Sequence, residues 1–167
     1  MLLGYIFTIL NYFSYCFSRF AKTKLTMLYM DLLSKVFMII ALYCFGSIGG
    51  SLSFIVAFIL IIIATLKENQ KQDWLFGYIL FQFMYIAILI TTFDGIASIL
   101  VFITVSIKLY ALWWMRPQGI RMLGIIASLF FIVYQLTIHN WAGLLEICVI
   151  ASNATSFLKY RNKKYKT

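Results

Sequence analysis

The chain alternates long apolar runs with short joins, and its basic residues collect in every second join. A run of about 20 apolar residues is long enough to cross the hydrocarbon core of a bilayer as a helix. Cutting at charges and turn residues gives seven such runs, roughly 2–19, 26–46, 50–66, 74–92, 95–115, 121–139 and 142–160. The joins GSIGGS, FDG and HNWAG are tight enough to make successive helices antiparallel neighbours. With 63% hydrophobic and 11% charged residues, the chain has too little polar surface to cover a globule in water. The expectation is an all-α polytopic membrane protein forming one membrane domain over residues 1–167.

Charge gives the direction. Arg19, Lys22 and Lys24 sit at the first join, Lys67 and Lys71 at the third, and Arg116 and Arg121 at the fifth. Lys159, Arg161, Lys163, Lys164 and Lys166 make the tail, so of 14 basic residues only Lys35 and Lys108 lie well within spans. Cytoplasmic joins carry the Lys/Arg excess, which predicts the N-terminus outside and the C-terminus in the cytoplasm. The net charge of +9 is spread over these joins and is not gathered on one surface, so lipid headgroups are the expected partner and nucleic acid is not. The opening run MLLGYIFTILNYF has no basic residue before it and reads as a retained first helix. Cys16, Cys44 and Cys148 match neither a metal spacing nor a disulfide framework and read as buried, inert thiols.

An offset of 93 residues lays the second half over the first without a gap. Phe37 then meets Phe130, Ile39 meets Ile132, Gly50 meets Gly143, Asn69 meets Asn162, and Lys71 meets Lys164. The expected plan is a 3+1+3 parallel repeat: repeat one over about 2–71, a linker helix over about 74–92, and repeat two over about 95–164. Parallel-repeat transporters such as the SWEETs use this plan, with solute near the midplane between the halves. The stretch QGIRMLGIIASLFFIVYQLTIHNWAGLLEICVIASNATSFLKYR, with Gln118, Gly119, Arg121, Asn140, Gly143, Glu146 and Asn153, resembles the close of the YgjV-type bacterial inner-membrane proteins. This chain has Tyr134-Gln135 where a His-Asn pair is the more familiar form. The resemblance implies a bacterial cytoplasmic-membrane location and distant kinship with SWEET and PQ-loop proteins, and it brings no substrate. The Pro117-Gln118 pair falls in a charged join and reads as a turn, not as the hinge of a PQ-loop helix.

Polar residues inside spans are costly and need partners or function. Asp31 and Lys35, four apart, are placed to neutralise each other on one helix face near the cytoplasmic interface, or to contact solute. Lys108 is expected to snorkel toward the cytoplasm, and its depth argues against a direct pair with Glu146. Glu146 reads either as a solvated interfacial acid or as part of a path. Asn153, on the same face, reads as a helix–helix hydrogen bond or a solute contact, and its repeat position is Leu60. Polar stripes follow helical spacing at Gly4, Thr8, Asn11, Tyr15 and Ser18, at Gly124, Ser128, Gln135 and His139, and at Tyr78, Gln82 and Tyr85. Trp74, Trp113, Trp114 and Trp141 fall where interfacial belts lie.

No metalloprotease motif, activated nucleophile, carboxylate cluster or phosphate-binding glycine loop is present, so an enzyme, a metal and a cofactor are not expected. Two functions follow. The first is a small secondary carrier or facilitator of a polar solute, its candidate path formed by Asn11, Asp31, Lys35, Gln82, Tyr134, Gln135, Glu146 and Asn153. The second is a non-transporting scaffold or subunit, associated with a copy of itself or another membrane protein, whose polar stripes only lock helices together.

Overall fold

A computed structural model describes residues 2–70 and 74–160. Lys71, Arg161, Lys163, Lys164 and Lys166, together with the paired positions Lys71/Lys164 and the partner Asn162 of Asn69, lie outside the described residues. Seven helices follow one another: α1 (Leu2–Arg19), α2 (Lys24–Cys44), α3 (Ile48–Gln70), α4 (Leu75–Thr91), α5 (Gly95–Trp114), α6 (Pro117–Thr137) and α7 (Glu146–Tyr160), the last preceded by a 3-10 turn over Trp141–Leu145. Five segments, Lys24–Cys44, Ile48–Glu68, Gly95–Trp114, Pro117–Thr137 and Trp141–Tyr160, are long and apolar enough to cross a membrane. Helices α1 and α4 have 18 and 17 residues, within the short end of the spanning range of about 17–25. The seven-helix count expected from the apolar runs therefore fits.

One boundary needs correction. Pro117 does not sit in a loop but opens α6 at its first turn. Proline suits that position because the missing N–H would have no helical partner there and its fixed φ is already helical. Arg121 consequently lies inside α6 and is fully buried.

Helix α1 packs on α2 and α7, α2 on α3, α3 on α5, α5 on α6, and α6 on α7. These contacts close a ring of six helices, with α4 outside it against α3 and α5. The lipid solvent explains which faces turn inward. Phe13, Phe17, Ile55, Ile90, Leu129 and Ile147 are exposed on the perimeter, whereas Thr8, Ser34, Thr104, Ser128, Gln135 and Asn153 are fully buried. Close approach is set by small residues: a Cβ on Gly124 would lie 3.3 Å from the Asn153 amide, so α6 and α7 meet there.

The helix starts recur at a constant spacing. Leu2 and Gly95, Lys24 and Pro117, and Ile48 and Trp141 are each 93 residues apart. So are the turns that end α2 and α6. Gly46 (φ 74) and His139 (φ 55) both take the left-handed conformation. Gly46 N–H donates to Tyr43 O at 3.0 Å and Ser47 N–H to Leu42 O at 3.0 Å; His139 N–H donates to Leu136 O at 3.1 Å and Asn140 N–H to Gln135 O at 2.9 Å. This bonding pattern satisfies the last carbonyls of a helix and normally uses glycine at the left-handed position.

Candidate functional site

The end of the bundle that carries the α2–α3, α4–α5 and α6–α7 turns holds an open hollow of about 510 Å³, lined by Ser47, Gly50, Thr92, Ser98, Tyr134 and His139 among others. Its floor includes a 2.7 Å hydrogen bond between the Ser47 and Tyr134 hydroxyls. Gly50 makes room for it, since a Cβ there would collide with the Tyr134 hydroxyl. Beside it runs a buried chain of amides and hydroxyls. The Asn140 amide donates to Gln135 Oε1 at 2.8 Å and to Thr8 Oγ1 at 3.1 Å. Thr8 Oγ1 donates to Gly4 O at 2.8 Å. Gln135 Nε2 reaches Met38 Sδ at 3.8 Å. These bonds tie the α6–α7 turn to α1 and α2.

Each ring helix contributes to one small chamber: Asn11 and Tyr15 from α1, Lys35 and Met38 from α2, Phe54 from α3, Lys108 from α5, Phe131 from α6 and Glu146 at the start of α7. The chamber is about 10 Å³ and adjoins a second cavity of about 30 Å³ that also reaches Arg19, Asp31, Leu60, Tyr85 and Gly124. Such volumes hold roughly one or two waters. Lys35 Nζ stands 4.7 Å from the Tyr15 ring centroid and 5.4 Å from that of Phe54. Lys108 Nζ stands 5.4 Å from the same Tyr15 ring and 4.9 Å from Phe131. Glu146 accepts a 2.6 Å hydrogen bond from the Ser128 hydroxyl.

The opposite end is closed. Arg19 and Asp31 form a buried ion pair between α1 and α2. Arg19 also donates to Ser18 Oγ at 2.9 Å and stacks over Tyr15 at 4.2 Å. Arg121 donates to the carbonyls of Arg19 (3.2 Å) and Ala21 (2.8 Å), and Tyr160 donates its hydroxyl proton to Phe20 O at 3.1 Å. The α1–α2 join is thereby strapped to α6 and α7. Lys67 is buried too, donating to Trp113 O at 3.0 Å.

Several expectations change. Asp31 pairs with Arg19 of the neighbouring helix instead of Lys35. Lys35 points into the chamber and is 5% exposed, because the inward face of α2 offers it aromatic rings and the outward face only lipid. Lys108 likewise turns inward instead of snorkelling. Among the described residues it makes no ion pair with Glu146, as expected, but a difference in depth is not the reason, since both line the same chamber. Glu146 is 2% exposed, not a solvated acid. Asn153 makes no helix–helix hydrogen bond; its amide donates to Val149 O on its own helix at 3.0 Å, and Oδ1 has no partner. Gln82 bonds Ser106 at 3.1 Å across the α4–α5 contact and does not line the chamber. Tyr134 lines the hollow, Gln135 belongs to the amide chain, and only Asn11, Lys35 and Glu146 of the expected path line the chamber itself. Trp113 is buried against Trp74 O instead of standing in a belt. Cys148 is exposed on the perimeter and Cys16 and Cys44 are half-buried, so the thiols are not a buried set. Arg19, Lys67 and Arg121 bind protein carbonyls or a carboxylate, leaving headgroup contact to the exposed Lys22, Arg116 and Lys159.

Lys108, Phe54 and Phe131 were absent from the expected path. A signal for Lys108 existed: Val101, Val105 and Leu112 share its helix row and are all buried.

A ring of apolar helices around buried charges defines an integral membrane protein. The chain belongs to the Imp-YgjV family of bacterial inner membrane proteins, whose family model matches residues 1–164. Neither the curated proteins nor the solved structures gave a match.

Proposed function

We propose that the protein is a small secondary carrier or facilitator of a polar solute, with a path running from the open hollow past Tyr134 and Ser47 into the chamber. The observation that carries this reading is the convergence of all six ring helices on one cavity holding two lysines and a glutamate. Charges cost several kcal/mol inside a bilayer, and intramembrane charges that face a shared interior mark solute or ion pathways. The ring order supports a 3+1+3 plan, in which α1–α3 and α5–α7 meet along the α3·α5 and α7·α1 seams and α4 is the connector. The recurring helix starts and left-handed turns support the same plan. Exposed Lys22, Arg116 and Lys159 at the closed end favour a cytoplasmic location for it, with the hollow facing outward. The reading assigns no bond-making chemistry to the protein.

The non-transporting scaffold or partner subunit keeps one observation in its favour: the central cavities are small. Flux into proteoliposomes across a panel of neutral, cationic and anionic small solutes separates the two readings. The carrier reading expects saturable flux of at least one solute, reduced by Lys108→Met. The scaffold reading expects no flux for any solute and a stoichiometric partner on purification.

A further inference from the structure

We propose that the two joined cavities are a proton path, and that Lys35 and Lys108 share one exchangeable proton at its centre. This deepens the carrier reading by naming its coupling ion. It rests on that reading for the coupling, though not for the proton movement.

Space selects the occupant. Cavities of about 10 and 30 Å³ admit roughly one or two waters and are too small for an organic solute. A proton needs no more room than that, because it passes along waters and side chains. The cavities share Tyr15, Lys35, Phe54 and Lys108. They extend from Glu146, which opens α7 on the side of the hollow, to Asp31 and Arg19 at the closed end. Proton-exchanging groups therefore follow one another through the ring. Facing Lys35 are Tyr15 and Arg19 from α1, Asp31 from α2, Tyr85 from α4, Lys108 from α5 and Glu146 from α7; α3 and α6 line the cavities with no titratable side chain. Two lining atoms, Asp31 Oδ1 and the Tyr85 hydroxyl, are buried with no hydrogen-bond partner, and each is a place for a bridging water.

Charge points to the same occupant. With every group ionised, Arg19, Lys35 and Lys108 would face only Asp31 and Glu146. Uncompensated charge is costly inside a bilayer, and these five groups balance when one lysine is a neutral amine. Among the described residues neither lysine has an ion-pair or hydrogen-bond partner. Both approach the Tyr15 ring, with Nζ 4.7 and 5.4 Å from its centroid. An ammonium has donors only, whereas a neutral amine offers a lone pair, so the two together form a donor and an acceptor. One water between them completes the transfer: the ammonium gives it a proton as it gives another to the amine, and the water is returned unchanged. Arg19 takes no part, since a guanidinium keeps its proton.

Lys35 belongs to α2 and Lys108 to α5, one in each half of the 3+1+3 plan. A second proton on the pair sets two like charges between the halves and favours their separation; its loss lets them close. That dependence ties proton passage to the alternation of the carrier.

The test uses the purified full chain in proteoliposomes with an entrapped pH dye. A potassium gradient with valinomycin drives protons inward, without solute and then with glucose, choline or lactate outside, whose uptake is measured in parallel. The wild type is expected to acidify the interior several-fold faster than protein-free vesicles, alone or with a solute. Lys35→Met and Lys108→Met are expected to slow this roughly tenfold or more. Tyr85→Phe deletes only an unpartnered hydroxyl, so it should fold and slow the movement too, which keeps the test independent of the lysine variants. Lys35→Arg keeps a charge but holds its proton and should behave like Lys35→Met; a wild-type rate in Lys35→Arg overturns the shared proton. Movement undiminished in all the variants overturns the path. Solute uptake with no proton movement overturns the path and leaves the carrier reading standing. Proton movement without uptake of any solute keeps the path and removes the carrier. Neither effect removes both.

Discussion

Replacing Asp31 by Asn removes a charge from a pair that is almost wholly buried, with Arg19 and Asp31 at 1% and 3% side-chain exposure. The guanidinium is then left inside the bundle without a counter-charge, and breaking one partner of a buried pair typically costs about 3–5 kcal/mol. Arg19 keeps its bond to Ser18 and its stacking on Tyr15, so the lower end applies. The expected loss is about 3 kcal/mol, or roughly a 150-fold shift in the folding equilibrium. Reversible unfolding by SDS from mixed micelles, followed by tryptophan fluorescence, measures it. A double-mutant cycle identifies the partner. Asp31→Asn with Arg19→Met should show a coupling of about 2 kcal/mol or more, and Asp31→Asn with Lys35→Met no more than about 0.5 kcal/mol. The opposite order of couplings would restore the same-helix pair suggested by spacing alone and refute the placement of Arg19.

Four further outcomes are expected. Gly143→Ala should destabilise by about 1–3 kcal/mol and more than Gly50→Ala, because the new methyl of the first meets the root of the Gln135 side chain and that of the second the far end of Tyr134 and the Ser47 hydroxyl; SDS unfolding of both variants checks the ranking. His139→Gly should stabilise by about 0.5–1 kcal/mol, since a left-handed residue at the end of α6 is relieved and the imidazole is exposed; unfolding midpoints decide it. Arg121→Met should release the α1–α2 join, raising maleimide labelling of Ala21→Cys in a cysteine-free background several-fold over the same cysteine with Arg121 in place. For orientation, Lys22→Cys should react with an impermeant maleimide only from the cytoplasmic side and Asp94→Cys only from outside, and the reverse pattern would invert the protein in the membrane.

The parts of the fold legible in the sequence are those that lipid dictates locally. Span number followed from apolar run length, and the stripe Gly4, Thr8, Asn11, Tyr15 and Ser18 is buried throughout, because polar groups at helical spacing cannot face hydrocarbon. Partners across helices were not legible. Asp31 has Lys35 one turn away in sequence, but which side chain it meets depends on the rotation of α1 against α2, and that is set by packing around the whole ring. The same dependence hid the inward turn of Lys108 and the role of Asn140, whose bonds reach from one end of the chain to the other. The 93-residue spacing was visible in few identities, and its clearer mark is the pair of turns at Gly46 and His139, where the residue types differ and the backbone agrees.

The central claim is that the buried polar interior is a passage and not a packed core. The direct measurement is reaction of Met38→Cys, in a cysteine-free background, with small impermeant thiol reagents applied to each face of the membrane, with Asp94→Cys, exposed in the hollow, as the accessible reference. A passage predicts that the chamber cysteine reacts, slower than the reference but measurably. A chamber cysteine inert from both faces while Asp94→Cys reacts at once would contradict it.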